Sequence, residues 1–106
     1  MMRKAKVFVH DNFAGILLEK AKNGPYQFTY DQAYNGAPVS LTMPLHEKLH
    51  GFSSFPPFFE GLLPEGIMLE GLIRQLKIDR NDYFSQLIAI GEDLVGAVTV
   101  KPFEDE

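Results

Sequence analysis

The chain has 106 residues, of which 45% are apolar and 23% are charged, a composition typical of a folded globular domain. It contains no cysteine, which excludes disulfides, thiolate metal sites and cysteine nucleophiles. The formal net charge is −4, and the last three residues are all acidic. The length predicts a single domain over residues 1–106. Because binding to nucleic-acid phosphates needs a basic surface, we expect no direct contact with nucleic acid. No apolar run approaches the roughly 18 residues of a membrane helix, so a cytoplasmic protein is expected.

The first thirty residues carry the pattern of three antiparallel strands. Two short apolar runs, residues 7–10 and 13–18, flank Asp11 and Asn12. Since Asp and Asn tolerate positive φ, these two residues are predicted to form the turn of a hairpin. After a second turn signal at residues 23–25, aromatic and polar residues alternate from Tyr26 to Tyr30, as in a half-buried strand. The sequence therefore predicts an N-terminal β-meander.

The middle of the chain is less regular. Residues 39–43 alternate between apolar and polar side chains and stop at Pro44, which predicts a short fourth strand. Residues 45–57 contain glycine, two serines and a Pro-Pro pair, and an exposed connection is predicted there.

Helices are predicted in the second half. Residues 58–63 suit one or two helical turns, and Pro64 suits the first position of a longer helix. The spacing i, i+3, i+4, i+7 predicts one buried stripe on that helix, formed by Leu69, Leu72, Ile73 and Leu76. A further helix is predicted from an Asn81 cap to Gly91, with a core-facing stripe of Tyr83, Phe84, Leu87 and Ile88. Residues 94–100 then read as a strand that returns to the sheet. The expected class is α+β, a mainly antiparallel sheet with two to three helices on one face.

One short metal-binding motif occurs. Residues 46–50 read HEKLH and match H-E-x-x-H, in which two histidines on one helix face bind zinc and the glutamate acts as a general base. His46, Glu47 and His50 would then make a small zinc hydrolase, with Glu70 as a candidate third ligand. A proline just before the motif and a glycine just after it leave little room for a helix, so a polar loop is the favoured interpretation. No phosphate-binding loop or nucleophile elbow is present, and we expect no catalytic residue, metal or cofactor.

The segment around residues 62–68 is unusually apolar. Ile67 and Met68 lie off the predicted stripe of the helix that starts at Pro64 or at its edge, and Phe55, Phe58 and Phe59 precede them. Two interpretations stay open. These side chains belong to the core, or some of them form an exposed patch that contacts another protein.

Three segments resemble the N-terminal subdomain of the HipA-like kinase toxins, in the same order along the chain. Residues 38–45 (PVSLTMPL) resemble the family segment PLSLSLPL, residues 58–65 (FFEGLLPE) resemble FFDNLLPD/E, and residues 90–98 (IGEDLVGAV) resemble IGRDxVGAV. Glu92 stands where the family has arginine. The kinase core of the family follows this subdomain.

The resemblance implies a non-catalytic, protein-binding role. In split systems of this family, a short protein of this kind (HipS) is the antitoxin, encoded apart from a kinase toxin (HipT) and a DNA-binding protein (HipB). We therefore expect inhibition of a HipT-like serine/threonine kinase, with a HipB-like helix-turn-helix protein as a further candidate partner. The expected contacts to the kinase are Phe59, Leu63, Pro64, Glu65, Ile67 and Met68. The alternative role is that of a scaffolding N-terminal subdomain within an intact HipA-like kinase.

Overall fold

A computed structural model describes residues 2–94 and 96–103 and contains a five-stranded antiparallel sheet. The strands are β1 (Arg3–Val9), β2 (Asn12–Glu19), β3 (Tyr26–Tyr30), β4 (Leu49–Phe52) and β5 (Val98–Pro102). The helices are α1 (Pro57–Glu60), α2 (Gly66–Leu76) and α3 (Tyr83–Ile90), followed by a 3₁₀ turn over Gly91–Asp93. The spatial order of the strands is β4-β3-β2-β1-β5. The predicted α+β class, with its N-terminal meander and returning C-terminal strand, is confirmed.

The core lies on one face of this sheet. Alternation along β1 turns Ala5, Val7 and Val9 inward, because successive side chains of a strand point to opposite faces. Leu17, Phe28, Tyr30 and Val100 are buried on the same inward face, and Phe59 of α1 with Phe84 and Leu87 of α3 belong to the same core. Phe28 packs its ring against both Tyr30 and Phe59, with centroids 4.8 and 6.2 Å apart.

The hairpin between β1 and β2 turns one residue earlier than predicted. His10 and Asp11 both have positive φ, 49° and 67°, whereas Asn12 pairs with Val9 inside the ladder. Phe8 lies opposite Phe13 in the same ladder, with their rings edge to face at 5.8 Å. This aromatic pair favours the observed register, and the turn therefore falls on His10 and Asp11.

The prediction of a strand at residues 39–43 is wrong, and the fourth strand forms instead at Leu49–Phe52. Ser40 and Met43 make only an isolated bridge. The reason is the buried hydroxyl of Tyr30, which donates to the Met43 carbonyl at 2.6 Å and accepts from the Val39 amide at 2.8 Å. These two bonds fold the segment into a compact loop. β4 then pairs with β3 through the main chain, although it buries no side chain.

α3 begins and ends close to its predicted limits. Its cap is Asp82 rather than Asn81, because the Asp82 carboxylate accepts from the Ser85 amide at 3.1 Å. Phe84 and Leu87 of the predicted stripe are buried, whereas Tyr83 and Ile88 are half-buried. β5 begins at Val98, four residues later than predicted, and Gly96 just before it has a φ of +118°, which is not a strand conformation. Part of the predicted strand, Val95, lies outside the described residues.

A charged cluster joins the first strand to α3. The Arg3 guanidinium donates to Glu19 at 2.6 Å and to Asp82 and Ser85, both at 2.8 Å. Glu19 is 1% exposed and also accepts from the Tyr26 hydroxyl at 3.1 Å.

The hydrogen bond with Glu19 raises the pKa of Arg3, against the effect of burial. Burial and the Glu19 carboxylate raise the pKa of Tyr26 to about 12. Burial opposes ionisation of Asp82, yet the hydrogen bonds from Arg3 and Ser85 hold the pKa of Asp82 below its usual value.

Candidate protein-docking site

The segment predicted to contact a partner starts at α1, which is tied to the core. Pro57 occupies the first turn of α1, where its missing N–H is not needed. The ring of Phe59 is completely buried, against Phe28 and Phe58. The prediction that Phe59 lies on the exposed patch is therefore wrong, because its side chain is an interior anchor of the helix. The chain then continues through a turn in which the amides of Leu62 and Leu63 donate to Phe59 and Glu60.

α2 follows this turn and begins later than predicted. Its N-cap is Glu65, in an extended conformation without a side-chain cap bond, and Gly66 has a φ of +59°. Pro64 therefore lies before the helix and not at its first position. At the other end Lys77 adopts the left-handed conformation, and its amide donates to the Ile73 carbonyl. An exposed ion pair of 2.7 Å between Glu70 and Arg80 joins α2 to the loop that follows it.

None of the eleven residues of α2 is buried, and the prediction of a buried stripe on this helix is wrong. Leu69, Leu72 and Ile73 are only half-buried, and Leu76 is 50% exposed. The spacing of these leucines correctly predicts an amphipathic helix. It cannot show whether the apolar side faces this chain's own core or another molecule.

The exposed apolar side chains border an open groove of about 340 Å³ between α2 and the end of α3. Ile67 is 89% exposed and Met68 is 74% exposed. We call this surface the α2 groove, and its lining residues are Pro64, Ile67, Met68, Gly71, Leu72, Gln75 and Ile90. Of the six predicted contacts, Pro64, Ile67 and Met68 line the groove. Glu65 is exposed at the start of α2, and Leu63 is half-buried and packs against the core.

Four lining residues of the α2 groove were missed. Gly71, Leu72 and Gln75 follow Ile67 and Met68 at intervals of four residues, so helical spacing could have identified them. Ile90 lies on another helix, and only the tertiary structure brings it to the groove. Gly71 is notable because a Cβ atom built on it meets nothing within 4 Å. Packing within the described chain therefore gives no reason for a glycine at this position.

The H-E-x-x-H segment does not form the helix that a zinc site of this type requires. His46 lies in an exposed turn, and His50 lies in β4. The Nε2 atom of His50 is 3.1 Å from the Pro44 carbonyl oxygen, and its ring packs against Tyr30. Glu70, the candidate third ligand, pairs with Arg80. Within residues 2–94 and 96–103 no three His, Cys, Asp or Glu side chains are grouped so that they could hold a metal ion.

The described helices are all too short or too polar to cross a bilayer.

Comparisons with known proteins agree on one family. The family model for the HipA N-terminal domain (Couple_hipA) matches residues 5–101. An uncharacterized protein of Haemophilus influenzae is 32% identical over 101 residues, which cover 95% of this chain and 93% of that protein. A putative kinase of Sinorhizobium fredii, Y4dM, is 43% identical over 51 residues, 48% of this chain and 12% of the kinase.

A solved structure described as the N-terminal domain of HipA toxin superimposes with a TM-score of 0.76 and 29% identity. The match covers 98% of this chain and 95% of that chain. One assignment follows from three observations. These are the order of strands and helices, the family match over residues 5–101, and the segments PVSLTMPL, FFEGLLPE and IGEDLVGAV. The chain belongs to the HipA N-terminal domain family.

Proposed function

We propose that this chain binds a HipA-like serine/threonine kinase and inhibits it, as the antitoxin of a toxin–antitoxin system. The observation that carries the proposal is the α2 groove. In this groove Ile67 is 89% exposed and Met68 is 74% exposed, on a helix that buries none of its own residues. Large exposed apolar side chains on one helix face are typical of a surface that packs against another protein.

Membership of the HipA N-terminal domain family supports a HipA-like kinase as that protein. In HipA-like toxins the N-terminal subdomain adjoins a kinase core, and one matching relative is described as a putative kinase. The Haemophilus influenzae relative is covered over 93% of its length, so a protein of about this size occurs without a kinase core. A short member of the family can then supply the subdomain to a kinase encoded separately.

The chemistry of the α2 groove suits tight association. Burying an isoleucine or methionine side chain completely contributes about 1.5–3 kcal/mol. Gly71 leaves space for a partner's atoms to approach the backbone of α2. Inhibition requires only that the groove bind the inactive conformation of the kinase more tightly than the active one. Each tenfold difference in affinity corresponds to about 1.4 kcal/mol.

The test is a kinase assay with the purified chain and a purified HipA-like serine/threonine kinase. Autophosphorylation is measured as the chain is titrated, and the dissociation constant is measured by calorimetry. We expect the wild type to inhibit, and Ile67→Asp and Met68→Asp each to weaken binding at least about tenfold. Ile67→Leu keeps the apolar contact. Leu49→Asp places the same charge on an exposed leucine of β4, and both controls are expected to stay within about twofold. Unchanged inhibition by both Ile67→Asp and Met68→Asp would show that the kinase contact does not use the α2 groove.

A second candidate role is favoured by the match to part of Y4dM, of which the aligned residues cover only 12%. Within such a long kinase the same subdomain would act as a scaffold for the kinase core. A kinase core encoded in the same reading frame would decide for this role.

A further inference from the structure

The solvent-facing side of the sheet combines lysines with apolar side chains. Alternation along β1 points Lys4, Lys6 and Phe8 away from the core. In the neighbouring strands Lys6 pairs with Lys101 of β5 on one side and with Ile16 of β2 on the other. We call this surface the basic sheet face, and it consists of Lys4, Lys6, Phe8, Ile16, Leu18, Lys101 and Phe103. The packing of α1 and α3 is on the opposite side, against Phe28 and Arg3.

Each of the three lysine ammonium groups lies over an aromatic ring. The Nζ atoms of Lys4 and Lys6 lie 5.2 and 5.5 Å from the centroid of Phe103, and Lys101 lies 5.2 Å from Phe8. In the described part of the chain none of these ammonium groups takes part in an ion pair. Lys6 and Lys101 are directly opposite each other, and like charges in that position are destabilising. An anionic group bound between them would remove this repulsion.

We propose that the basic sheet face binds an acidic amphipathic helix of a partner protein. This goes beyond the proposed kinase contact, which uses α2. The charge complementarity is local, because no outward position of the five strands carries an acid, although the chain as a whole has a net charge of −4. The half-buried side chains of Phe8, Ile16 and Leu18 add an apolar floor between the charges. Such a mixture suits Glu or Asp beside Leu or Phe, whereas a nucleic-acid backbone would meet few cations and a net-negative protein.

The dimensions of the face also suit a helix. The three strands β5, β1 and β2 span about 10 Å across, which is the diameter of an α-helix with its side chains. Along β1 the outward residues from Lys4 to Phe8 extend about 13 Å. A helix covers that length with about nine residues, enough for two acids one turn apart and two apolar residues beside them.

The experiment uses the whole chain and three defined probes. The first is an 18-residue fluorescein-labelled peptide with Glu and Leu at helical spacing, the second is the same peptide with Gln for Glu, and the third is an oligothymidine of similar length. Binding is measured by fluorescence anisotropy, and the contact surface is mapped from backbone amide chemical shifts. We expect the Glu peptide to bind at least tenfold more tightly than either other probe, with shifts confined to β1, β2 and β5.

Charge reversal locates the site. The double variant Lys6→Glu, Lys101→Glu should weaken binding of the Glu peptide at least tenfold. The double variant Lys48→Glu, Lys77→Glu has the same net charge and should stay within twofold. Absence of binding, equal binding of the Gln peptide, tighter binding of oligothymidine, or shifts on α2 would each overturn the proposal. The Lys6, Lys101 variant should still inhibit the kinase. Loss of kinase inhibition by this variant would show that the basic sheet face binds the kinase, and would overturn the proposal of a separate partner. If Ile67→Asp instead leaves kinase inhibition unchanged while the Glu peptide still binds, only the proposed function is affected.

Discussion

Gly91 lies directly against the main chain of Val100. A Cβ atom at Gly91 would overlap the Val100 carbonyl oxygen and crowd the Val100 Cβ. Gly91 has an ordinary helical φ of −58°, so the backbone conformation does not require glycine there. The requirement comes from the close approach of the 3₁₀ turn to β5.

We therefore expect Gly91→Ala to lower the free energy of unfolding by about 1–3 kcal/mol, the usual cost of overpacking a tight contact. Urea denaturation followed by circular dichroism measures this difference. Gly51→Ala is the matched control, since a Cβ at Gly51 meets nothing within 4 Å. Equal stability of the Gly91 variant and the wild type would show that β5 can move away from the turn at little cost.

Replacing Gly71 with alanine is expected to stabilise its helix, in contrast to the loss of stability expected for Gly91→Ala. In the interior of an exposed helix, glycine is about 1 kcal/mol less favourable than alanine, and a Cβ at Gly71 has open space. Gly71→Ala should therefore slow amide exchange within α2 of the free chain. The longer side chain of Gly71→Gln should keep the helix but fill the α2 groove, and calorimetry with the kinase should show affinity reduced at least about tenfold. Full affinity of the Gln variant would place the kinase contact elsewhere.

α2 should also be the least protected helix of the free chain. Local stability depends on buried contacts, and α2 buries no residue whereas α3 buries Phe84, Gln86 and Leu87. Hydrogen exchange at neutral pH should show α2 amides exchanging at least tenfold faster than those of α3, in line with its lower opening free energy. Addition of the kinase should slow exchange in α2 selectively. If α2 were as protected as α3 in the free chain, the apolar face would already have a partner within the molecule.

The ion pair between Arg3 and Asp82 predicts that the free energy of unfolding depends on pH in the acid range. The pKa of Asp82 is lowered in the folded chain, so its stabilising contribution is present above the unfolded value near 4 and is lost as the pH falls below it. The stability difference between wild type and Asp82→Asn should therefore shrink between about pH 4 and pH 2. Asparagine still caps α3, which isolates the effect of charge.

Urea titrations at several pH values measure that difference. Asp93→Asn, at an exposed carboxylate in the 3₁₀ turn, is the control and should parallel the wild type throughout. A constant gap between wild type and Asp82→Asn down to pH 2 would mean that the ion pair with Arg3 does not contribute to folding.

Local patterns in the sequence were sufficient for most of the fold. The alternation from Tyr26 to Tyr30, the apolar stripe of α3 and the β-branched residues before Pro102 each depend on neighbours within one element. All three elements form, although β5 begins four residues later than predicted. β4 was missed because its pairing with β3 is made by the main chain, and strand Leu49–Phe52 buries none of its side chains. The loop before it depends on Tyr30, whose hydroxyl binds residues 9 and 13 positions away.

The α2 groove likewise combines features that the sequence determined with features that only the tertiary structure decided. The sequence by itself determined that α2 is amphipathic, that Ile67 and Met68 lie beside its apolar stripe, and that the chain resembles the HipA N-terminal domain. Only the tertiary structure decided that Phe59 is interior and that α2 leaves its apolar side uncovered, next to Ile90. The physical reason is that hydrophobic spacing specifies which side chains avoid water, whereas the protein surface that covers them depends on how distant elements pack.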